Sequence, residues 1–385
     1  MLKEVFKEII NKDSYLNQQV YCFLSKRKNE EMYKIYEDMT DWDTISDVSL
    51  LKNFRNQVEK GQSYFTTDPN LSNYRIYGNW YNIFGDLLDD VSNIIRYPSL
   101  EHGLIFHNKI FTDLKYTSRP CVATYGEFRK NIIRKYITRP IFCLGPYIHY
   151  ADNFYPENKI NKLKKENGST LLVFPTHSTN VSEVSFNQNL FMSNIRRISK
   201  KFNHVIVNAF WWNINDPFIE KLKAEGYQVV SAGYRDDVKF LNRLKTIISL
   251  ADLAVGDSIG SHIGYCIAEG TPFSLIDLNT KIKLYKRDEI DDLDFVNKHK
   301  KIVSEAFLNS KFITNEQLEI CNKYWGLNKL KNKEELRKIV QISQNIFNLS
   351  KGNFFFEENA IRKVLAEYQN SADKLGYALL RDALR

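Results

Sequence analysis

The chain has 385 residues, a formal net charge of +8, 43% hydrophobic residues and 14% aromatic residues. Such a length accommodates two domains with separate cores, and this composition excludes a disordered protein. No apolar run approaches the roughly 18 to 20 residues of a membrane span, and the start MLKEVFKEIINKD lacks the apolar core of a signal peptide. We therefore expect a cytoplasmic protein.

The net charge indicates which partners to expect, and the cysteine spacing indicates whether disulfides or a zinc site are to be expected. A positive net charge favours an anionic partner such as a nucleotide, an anionic glycan or a membrane surface. No motif typical of DNA or RNA binding stands out, so nucleic acid is not predicted. The five cysteines are scattered and never in CxxC spacing, which predicts neither a disulfide framework nor a zinc site. We expect them to be reduced and mostly buried.

Helical patterns dominate the chain up to about residue 95. Apolar residues recur at spacings of three and four in YLNQQVYCFLSKRKNEEMYKIYEDM and in NWYNIFGDLLDDVSNIIR. Short strands and turns are predicted next, in SLEHGLIFHN, RPCVATYGEF and RPIFCLGPYIHYA. Glu101 and His102 stand where the first strand would end, and an exposed turn with a capping carboxylate explains them equally well.

A change of pattern follows the lysine-rich interval ENKINKLKKENGS, at 157–169, which is the predicted linker. The five predicted strands after it are TLLVFP, HVIVNAF, YQVVSAG, DLAVG and PFSLID. The predicted helices between them are EVSFNQNLFMSNIRRISKK, DPFIEKLKAEG, DVKFLNRLKTIISL and SHIGYCIAEG. This alternation predicts a parallel sheet with helices on its faces and right-handed crossovers. Ligands then bind outside the carboxyl ends of the strands.

Polar residues follow three of these strands, at 175–179, 233–237 and 256–262. One histidine alone would more often be a structural residue than a catalytic one. Two histidines, an arginine, two aspartates and several hydroxyl groups at the same edge instead predict a functional site.

The stretch LAVGDSIGSHIGYCIAEGTP, at 253–272, predicts a strand, a tight loop, a helix N-terminus and a stop. Free backbone N–H groups and the positive end of the helix dipole make such a terminus a site for phosphate. Ser258, Ser261 and His262 stand where they could add side-chain donors. We therefore predict that this stretch holds the phosphate of a nucleotide-sugar.

Two aspartates precede the predicted helix that starts near residue 237. Asp237 is expected at the carboxyl end of a central strand, and either Asp236 or Asp237 could be only the N-cap of the helix. Capping explains one aspartate. The other aspartate and Arg235 remain available for function.

The last 55 or so residues are predicted to be helical, in EELRKIVQISQNIFNL and EENAIRKVLAEYQNSADKLGYALLRDALR. Packing across two domains is the favoured role. Because basic residues accompany the apolar ones, attachment to an anionic membrane surface is the alternative.

Four segments together resemble bacterial surface-polysaccharide glycosyltransferases of the GT-B type: FPTHST, SLEHGL, GPYIHYA and SAGYRDDVKFLNRLKTIISLADLAVGDSIGSHIGYCIAEGTP. They are most similar to the retaining β-Kdo transferases that build lipopolysaccharide O-antigen or capsule from CMP-Kdo. The resemblance covers about residues 75 to 280. It implies an α/β fold with two Rossmann-like domains facing a cleft and a helical C-terminal tail.

The same resemblance implies a domain layout and a set of partners. We expect an acceptor domain at 1–160, a nucleotide-sugar donor domain at 161–340, and helices at 341–385 that pack across both. The implied partners are a nucleotide-sugar and a glycan acceptor that is lipid-linked. The protein would then work at the inner face of the inner membrane as a peripheral protein, with no metal and no other cofactor.

Residue by residue, the resemblance implies a donor site made of His177, Ser178, Arg235, Ser258, Ser261, His262, Tyr265 and Glu269. Glu269 would face a sugar hydroxyl. An aspartate takes the sugar as a covalent adduct in the retaining enzymes, and Asp237 is the preferred match, with Asp236 next. Glu101 and His102 are the further catalytic candidates. Asp257 is acidic where a neutral polar residue is expected, which leaves other nucleotide-sugar donors open.

Two other classes of function compete with this one. The sequence GDSIG matches the nucleophile elbow of an α/β-hydrolase with Ser258 as nucleophile. Its histidine would have to be His262, which is close in sequence, or His299 in a lysine-rich segment, and no HGGG-like oxyanion segment appears. A non-enzymatic carbohydrate-binding protein with a GT-B shell is the second alternative. The presence of Arg235, Asp237 and His262 weighs against it.

Overall fold

The structure, a computed structural model, describes residues 43, 48–54, 76–87, 96–110, 114, 119–178, 182–276, 281–284, 292–350 and 354–385. The helix predicted at 15–39 lies outside these residues, as does Cys22. The other four cysteines are free and buried, as expected.

The first unit contains a sheet of three parallel strands in the order β1-β2-β3. Its elements in chain order are α1 (Asn79–Phe84), β1 (Ser99–Leu100), β2 (Val122–Thr124), α2 (Glu127–Ile133), β3 (Ile141–Cys143) and α3 (Glu157–Asn167). All three strands are buried along their whole length, which is typical of a parallel sheet covered on both faces. Helix α3 corrects the linker prediction, since its many Glu, Lys and Asn residues form a polar helix that buries only Ile160.

The second unit contains a sheet of five parallel strands in the order β7-β6-β4-β8-β9. Its elements are β4 (Thr170–Phe174), β5 (Ser182–Ser185), α4 (Gln188–Ser199), β6 (His204–Asn208), α5 (Pro217–Ala224), β7 (Gln228–Val230), α6 (Phe240–Ser249), β8 (Leu253–Gly256), α7 (Ser261–Ala268), β9 (Phe273–Leu275) and β10 (Lys281–Leu284). Every pair within the sheet is parallel, so the alternation of strands and helices is confirmed.

Two expectations about the second unit are wrong. The segment predicted to be helical from residue 183 begins with strand β5, which pairs with β10 in an antiparallel ribbon. Strand β7 was expected to be central but lies at the edge of the sheet. The chain adds β6 and β7 on one side of β4 and then returns to add β8 and β9 on the other. Adjacent strands in sequence therefore need not be adjacent in space.

The C-terminal region is helical, with α8 (Leu293–Phe307), α9 (Asn315–Tyr324), α10 (Lys333–Ser350), α11 (Phe354–Asn370) and α12 (Lys374–Leu384). Helix α12 packs on the first unit, where Lys130 Nζ donates to the backbone oxygen of Asp382 at 2.7 Å. Arg139 pairs with Glu357 of α11 at 2.6 Å. Within the described residues, no helix is long and apolar enough to cross a membrane. The predicted α/β class, with two Rossmann-like units and a helical C-terminal tail, is confirmed.

The segment after α9 lies between the two units. Gly326 has a φ of 67°, and a Cβ there would lie 2.2 Å from the backbone oxygen of Tyr125. A Cβ on Gly264 of α7 would lie 2.1 Å from the indole Cδ1 of Trp325. Glycine is therefore required at both positions, because the segment after α9 packs directly against the backbone of Tyr125 in the first unit and of α7 in the second.

Candidate functional site

The candidate site lies where strands β4 and β8 run side by side. From this pair the chain extends the sheet in opposite directions, so a crevice opens at their carboxyl ends. The two loops that leave these ends are tied together, since Thr176 donates to Asp257 Oδ1 from its backbone nitrogen and from its hydroxyl, both at 2.7 Å. Asp257, which is acidic where the resemblance implies a neutral residue, thus holds the Thr176 loop against the β8 loop.

Helix α7 points its N-terminus into this crevice. Gly260 is its N-cap and supplies no side-chain cap, and in the first turn the Ile263 nitrogen makes only a long hydrogen bond of 3.4 Å to the Gly260 backbone oxygen. Ser261 and His262 are the first two residues of the helix, and Ser258 is half-buried in the loop before it. The predicted phosphate loop is therefore a strand, a turn and a helix N-terminus.

His262 is a neutral imidazole at this terminus. Its ring stacks on Phe174 with the centroids 5.0 Å apart. The pKa of His262 is lowered to about 4, chiefly by burial and secondly by nearby His177, against a hydrogen bond to the Ser258 backbone that raises it. Its Nε2 is buried and has no hydrogen-bond partner among the described residues. A bound ligand would satisfy such an atom.

The first unit meets the same helix terminus with the carboxyl ends of its own strands. The backbone nitrogen of Leu104, just beyond β1, donates to Ser261 Oγ at 2.9 Å. Tyr125, directly after β2, donates to Ser261 Oγ at 3.4 Å, and its hydroxyl lies 2.7 Å from that of Tyr265. Burial raises the pKa of both tyrosines, so both remain protonated phenols near neutral pH.

Glu101 lies at the end of β1, beside this contact. Its carboxylate is held by Arg129, whose Nε lies 3.1 and 3.0 Å from the two oxygens, and it accepts the Thr124 hydroxyl at 2.7 Å. The side chain is 2% exposed. The backbone oxygen of the next residue, His102, accepts from Asn79 Nδ2 at 3.4 Å. Glu101 is thus buried and fixed in one orientation, not an exposed turn residue.

The Arg235 to Asp237 loop follows the edge strand β7. Arg235 Nε lies 3.1 Å from Asp236 Oδ1, and the Tyr234 hydroxyl donates to Asp236 Oδ2 at 3.2 Å. Burial opposes the charge of Arg235, but Asp236 and neighbouring tyrosines outweigh it and raise the pKa of Arg235. This pair is largely buried.

Asp237 forms a different ion pair in the same loop. Its Oδ2 bonds to Nη1 of Arg243 on α6, and its Oδ1 accepts from the backbone nitrogen of Lys239 at 2.8 Å. The two paired side chains are 1% and 0% exposed. Lys239 itself is the N-cap residue of α6, so the expectation that Asp236 or Asp237 occupies this position is wrong. Asp237 contacts the helix start through its Oδ1, which accepts the Lys239 N–H, and through its backbone oxygen, which accepts from the Phe240 nitrogen at 3.1 Å.

Tyr77 connects the Arg235 loop to the tyrosine pair. Its backbone nitrogen donates to the Arg235 backbone oxygen at 2.6 Å. Burial raises the pKa of Tyr77, and the nearby charge of Arg235 partly opposes this. Tyr77 in turn raises the pKa of both Tyr125 and Tyr265, so the three phenols lie within electrostatic reach of one another. A row of phenols therefore connects α7 to the loop after β7.

Sequence reasoning missed Tyr77, Asn79 and Tyr125. Tyr125 follows a predicted strand, so the rule that ligands bind at strand ends could have found it. Tyr77 and Asn79 carry no such signal, because their places depend on how the segment before α1 folds onto the second unit.

Other predicted site residues lie apart from Ser261. Glu269 is at the opposite end of α7, about 12 Å along the helix axis at 1.5 Å per residue, and pairs with Lys245 at 3.3 Å. Burial raises the pKa of Glu269, against the effect of Lys245. Ser178 accepts from the backbone nitrogen of Val184 at 3.0 Å. These residues are not brought to the helix N-terminus.

His177 lines a small pocket of about 60 Å³ beside the crevice. Its ring stacks on Phe210 with the centroids 4.0 Å apart. The protein atoms around the imidazole exclude water from it, which disfavours its charged form and lowers the pKa of His177. Part of the side chain nevertheless remains exposed to solvent. The pocket also includes Ser178 and Asn213. His177 therefore lies just beyond the carboxyl end of β4, as predicted. It is on the loop after β4, whereas α7 follows the neighbouring strand β8.

The hydrolase alternative gains no base at Ser258. His262 has its unbonded Nε2 buried and its other hydrogen bond directed to the Ser258 backbone. His299 lies on α8, where its Nδ1 shares a hydrogen bond of 2.8 Å with the Tyr324 hydroxyl. Within the part of the chain that the structure describes, the Ser258 hydroxyl thus has no hydrogen bond to a histidine side chain.

No protein-family model matches this chain, and no curated protein matches it. Among solved structures, Medicago truncatula UGT71G1 complexed with UDP-glucose is 12% identical over 71% of this chain, with a TM-score of 0.27. A UDP-glucose: anthocyanidin 3-O-glucosyltransferase in complex with UDP is 10% identical, covering 79% of this chain and 70% of that one, with a TM-score of 0.26. Apo UGT2 of Phytolacca americana is 8% identical, covering 76% and 70%, with a TM-score of 0.27.

The chain spans 56% of the length of the Medicago protein. At these identities and TM-scores the superposed backbones differ too much for the likenesses to carry an argument about substrate or mechanism. The site must therefore be interpreted from its own residues.

Proposed function

We propose that this protein is a glycosyltransferase of the GT-B type that takes a sugar from a nucleotide donor in the cleft between its two units. One observation carries the proposal. The N-terminus of α7 lies where the strand order of the five-stranded sheet reverses, between β4 and β8. The first unit contacts this terminus, since the backbone nitrogen of Leu104 donates to Ser261 Oγ at 2.9 Å. A phosphate on one side and an acceptor on the other would meet there.

The helix terminus would hold the donor phosphate through its backbone N–H groups and the helix dipole. Ser261 would add a directed donor. Its oxygen accepts from Leu104 and from Tyr125, so its own proton is left to point away from both. A phosphate oxygen is the acceptor that this arrangement suits.

The finer proposal is transfer of Kdo from CMP-β-Kdo with retention, and it is supported by the motif resemblance. A carboxylate would attack the anomeric carbon while the bond to the phosphate oxygen breaks and CMP leaves with that electron pair. The acceptor hydroxyl would then attack the same carbon, release the carboxylate and give up its proton to solvent or a base. Two inversions give net retention.

Asp237 remains the proposed nucleophile, with Asp236 and Glu101 as competitors. Asp237 is in the second unit and Glu101 in the first, and each is held by a buried arginine. The proposed acceptor is a growing surface polysaccharide on a lipid carrier, which would place the protein at the inner membrane surface.

Nucleotide binding tests the proposal. CMP should raise the melting temperature, and the increase should shrink in His262→Ala because the variant removes a side chain at the helix terminus. His204→Ala is the matched control. His204 is the first residue of β6, so it lies at the amino-terminal ends of the strands and away from α7, and its Nε2 lies 2.8 Å from Gln228 Oε1. A response to UDP or GDP alone would replace the CMP donor. No response to any nucleotide would contradict the glycosyltransferase proposal.

A further inference from the structure

A second pocket lies between α2 of the first unit and the C-terminal helices α8 and α9. It has a volume of about 350 Å³, and we call it the α2–α8 pocket. Its wall includes Phe128, Ile132, Lys135, Phe295, His299 and Lys323. Its volume falls within the range of small-molecule sites, roughly 300 to 1,000 Å³. No residue of the proposed donor site lines it.

Three rings form the wall of this pocket. Phe128 and Phe295 lie nearly parallel, with an interplanar angle of 18° and centroids 6.2 Å apart. His299 stands edge-on to both, at 4.7 Å from Phe128 and 4.5 Å from Phe295. Ile132 is buried beside them. An aromatic body would find both ring faces and ring edges to pack against.

The rim of the α2–α8 pocket is positively charged. Lys135 and Lys323 are exposed at the rim. Glu127 is the carboxylate at the pocket, and Lys329 pairs with it at 2.9 Å, so its charge is offset. Burial and then Lys323 and Lys298 lower the pKa of His299, so the imidazole is neutral near pH 7.

His299 keeps a fixed orientation in this wall. Its Nδ1 lies 2.8 Å from the hydroxyl of Tyr324, which is fully buried. The ring is therefore held in place by α9, while Phe295 on α8 and Phe128 on α2 complete the wall. Side chains from the first unit and from the C-terminal helices thus build one site.

We propose that the α2–α8 pocket binds a small aromatic organic anion, a ring that carries a carboxylate, sulfonate or phosphate group. The ring packs against Phe128, Phe295 and His299, and the anionic group lies between Lys135 and Lys323. Because α2 belongs to the first unit and α8 and α9 to the C-terminal region, the ligand contacts both at once. The inference does not depend on the proposed glycosyltransferase activity.

Two fluorescent probes test both halves of this inference on the full chain. They are 1-anilinonaphthalene-8-sulfonate and N-phenyl-1-naphthylamine, which has the same rings without the sulfonate. Lys135→Gln with Lys323→Gln should raise the dissociation constant of the sulfonate about three- to tenfold, since each exposed ion pair contributes little. The same double variant should leave the neutral probe within about twofold. Phe295→Leu, which keeps an apolar side chain, should weaken both probes.

The control is Lys162→Gln with Lys301→Gln, which also removes two positive charges. These lysines are 74% and 75% exposed, and each pairs with a glutamate one turn later in its own helix. Thermal melting of each variant confirms that it is folded before titration. An unchanged sulfonate affinity in the rim variant would overturn the anion site. Equal weakening by the control would show that only net charge matters, and would overturn it too. Unchanged binding of both probes to Phe295→Leu would show that neither ring packs against Phe295 and would overturn the site.

Discussion

The variant Asp237→Asn separates structure from catalysis at the β7 loop. The amide still accepts the Lys239 N–H but loses the charge that faces Arg243, in a pair whose side chains are 1% and 0% exposed. Arginine cannot give up its proton in a protein. The variant therefore removes the carboxylate charge that faces a buried guanidinium, which costs about 3 to 5 kcal/mol. A domain has only about 5 to 15 kcal/mol of stability, so the loss should be obvious.

Urea unfolding measures this cost as a fall in the free energy of unfolding. Glu358→Gln is the matched control, because its pair with Arg362 is 68% and 74% exposed and should be worth less than about 1 kcal/mol. Adding Arg243→Met to Asp237→Asn removes both charges and should recover most of the loss. If Asp237→Asn proves no more costly than the control, the buried pair does not stabilise the fold as argued.

The double variant also decides the catalytic role. A folded Asp237→Asn, Arg243→Met protein that transfers no sugar and forms no sugar adduct by intact mass spectrometry would support Asp237 as nucleophile. Near-normal transfer would pass the role to Asp236 or Glu101. Since the fold is restored in this variant, loss of activity cannot be attributed to unfolding.

Three further predictions follow from the same structure. Gly264→Ala should cost about 1 to 3 kcal/mol or more by urea unfolding, because its Cβ would lie 2.1 Å from Trp325, whereas Gly85→Ala, with nothing within 4 Å, should be nearly neutral. The folded pKa of His262, about 4, lies below its ordinary value of 6.5, so the unfolded chain binds the proton more tightly. Stability from this group is present above pH 6.5 and is lost as pH falls toward 4, by up to about 3 kcal/mol, and His262→Gln should show a shallower loss in unfolding measured across that range. Transfer activity should survive EDTA, because a CMP-sugar has one phosphate to neutralise and the helix terminus can do so; a complete loss that manganese restores would contradict this.

Local pattern was sufficient for most of the second unit. The runs TLLVFP and HVIVNAF contain β4 and β6, because a parallel strand that is buried on both faces is apolar throughout. The run SHIGYCIAEG contains α7, because its apolar residues recur at helical spacing after Gly260. The candidate phosphate loop was found the same way. A strand, a glycine turn and a helix start are all encoded within about ten residues.

Pattern failed where the partner is distant. Strand β5 was predicted as part of a helix because its pairing partner, β10, lies almost 100 residues later. The polar interval that forms α3 was predicted to be a linker because it buries only Ile160 and so shows no apolar period. Helix propensity of Glu and Lys was the remaining signal, and it is weak.

The sequence by itself determined the kinds of elements, the parallel sheet and the group of polar residues at its strand ends, since each depends on neighbours within one or two turns of chain. Tertiary structure alone decided that β7 is an edge strand and that Asp257 holds the Thr176 loop. It alone also brought Leu104 to Ser261, 157 positions away in the chain. Such contacts depend on how whole elements pack against one another, and residue periodicity carries no information about that packing.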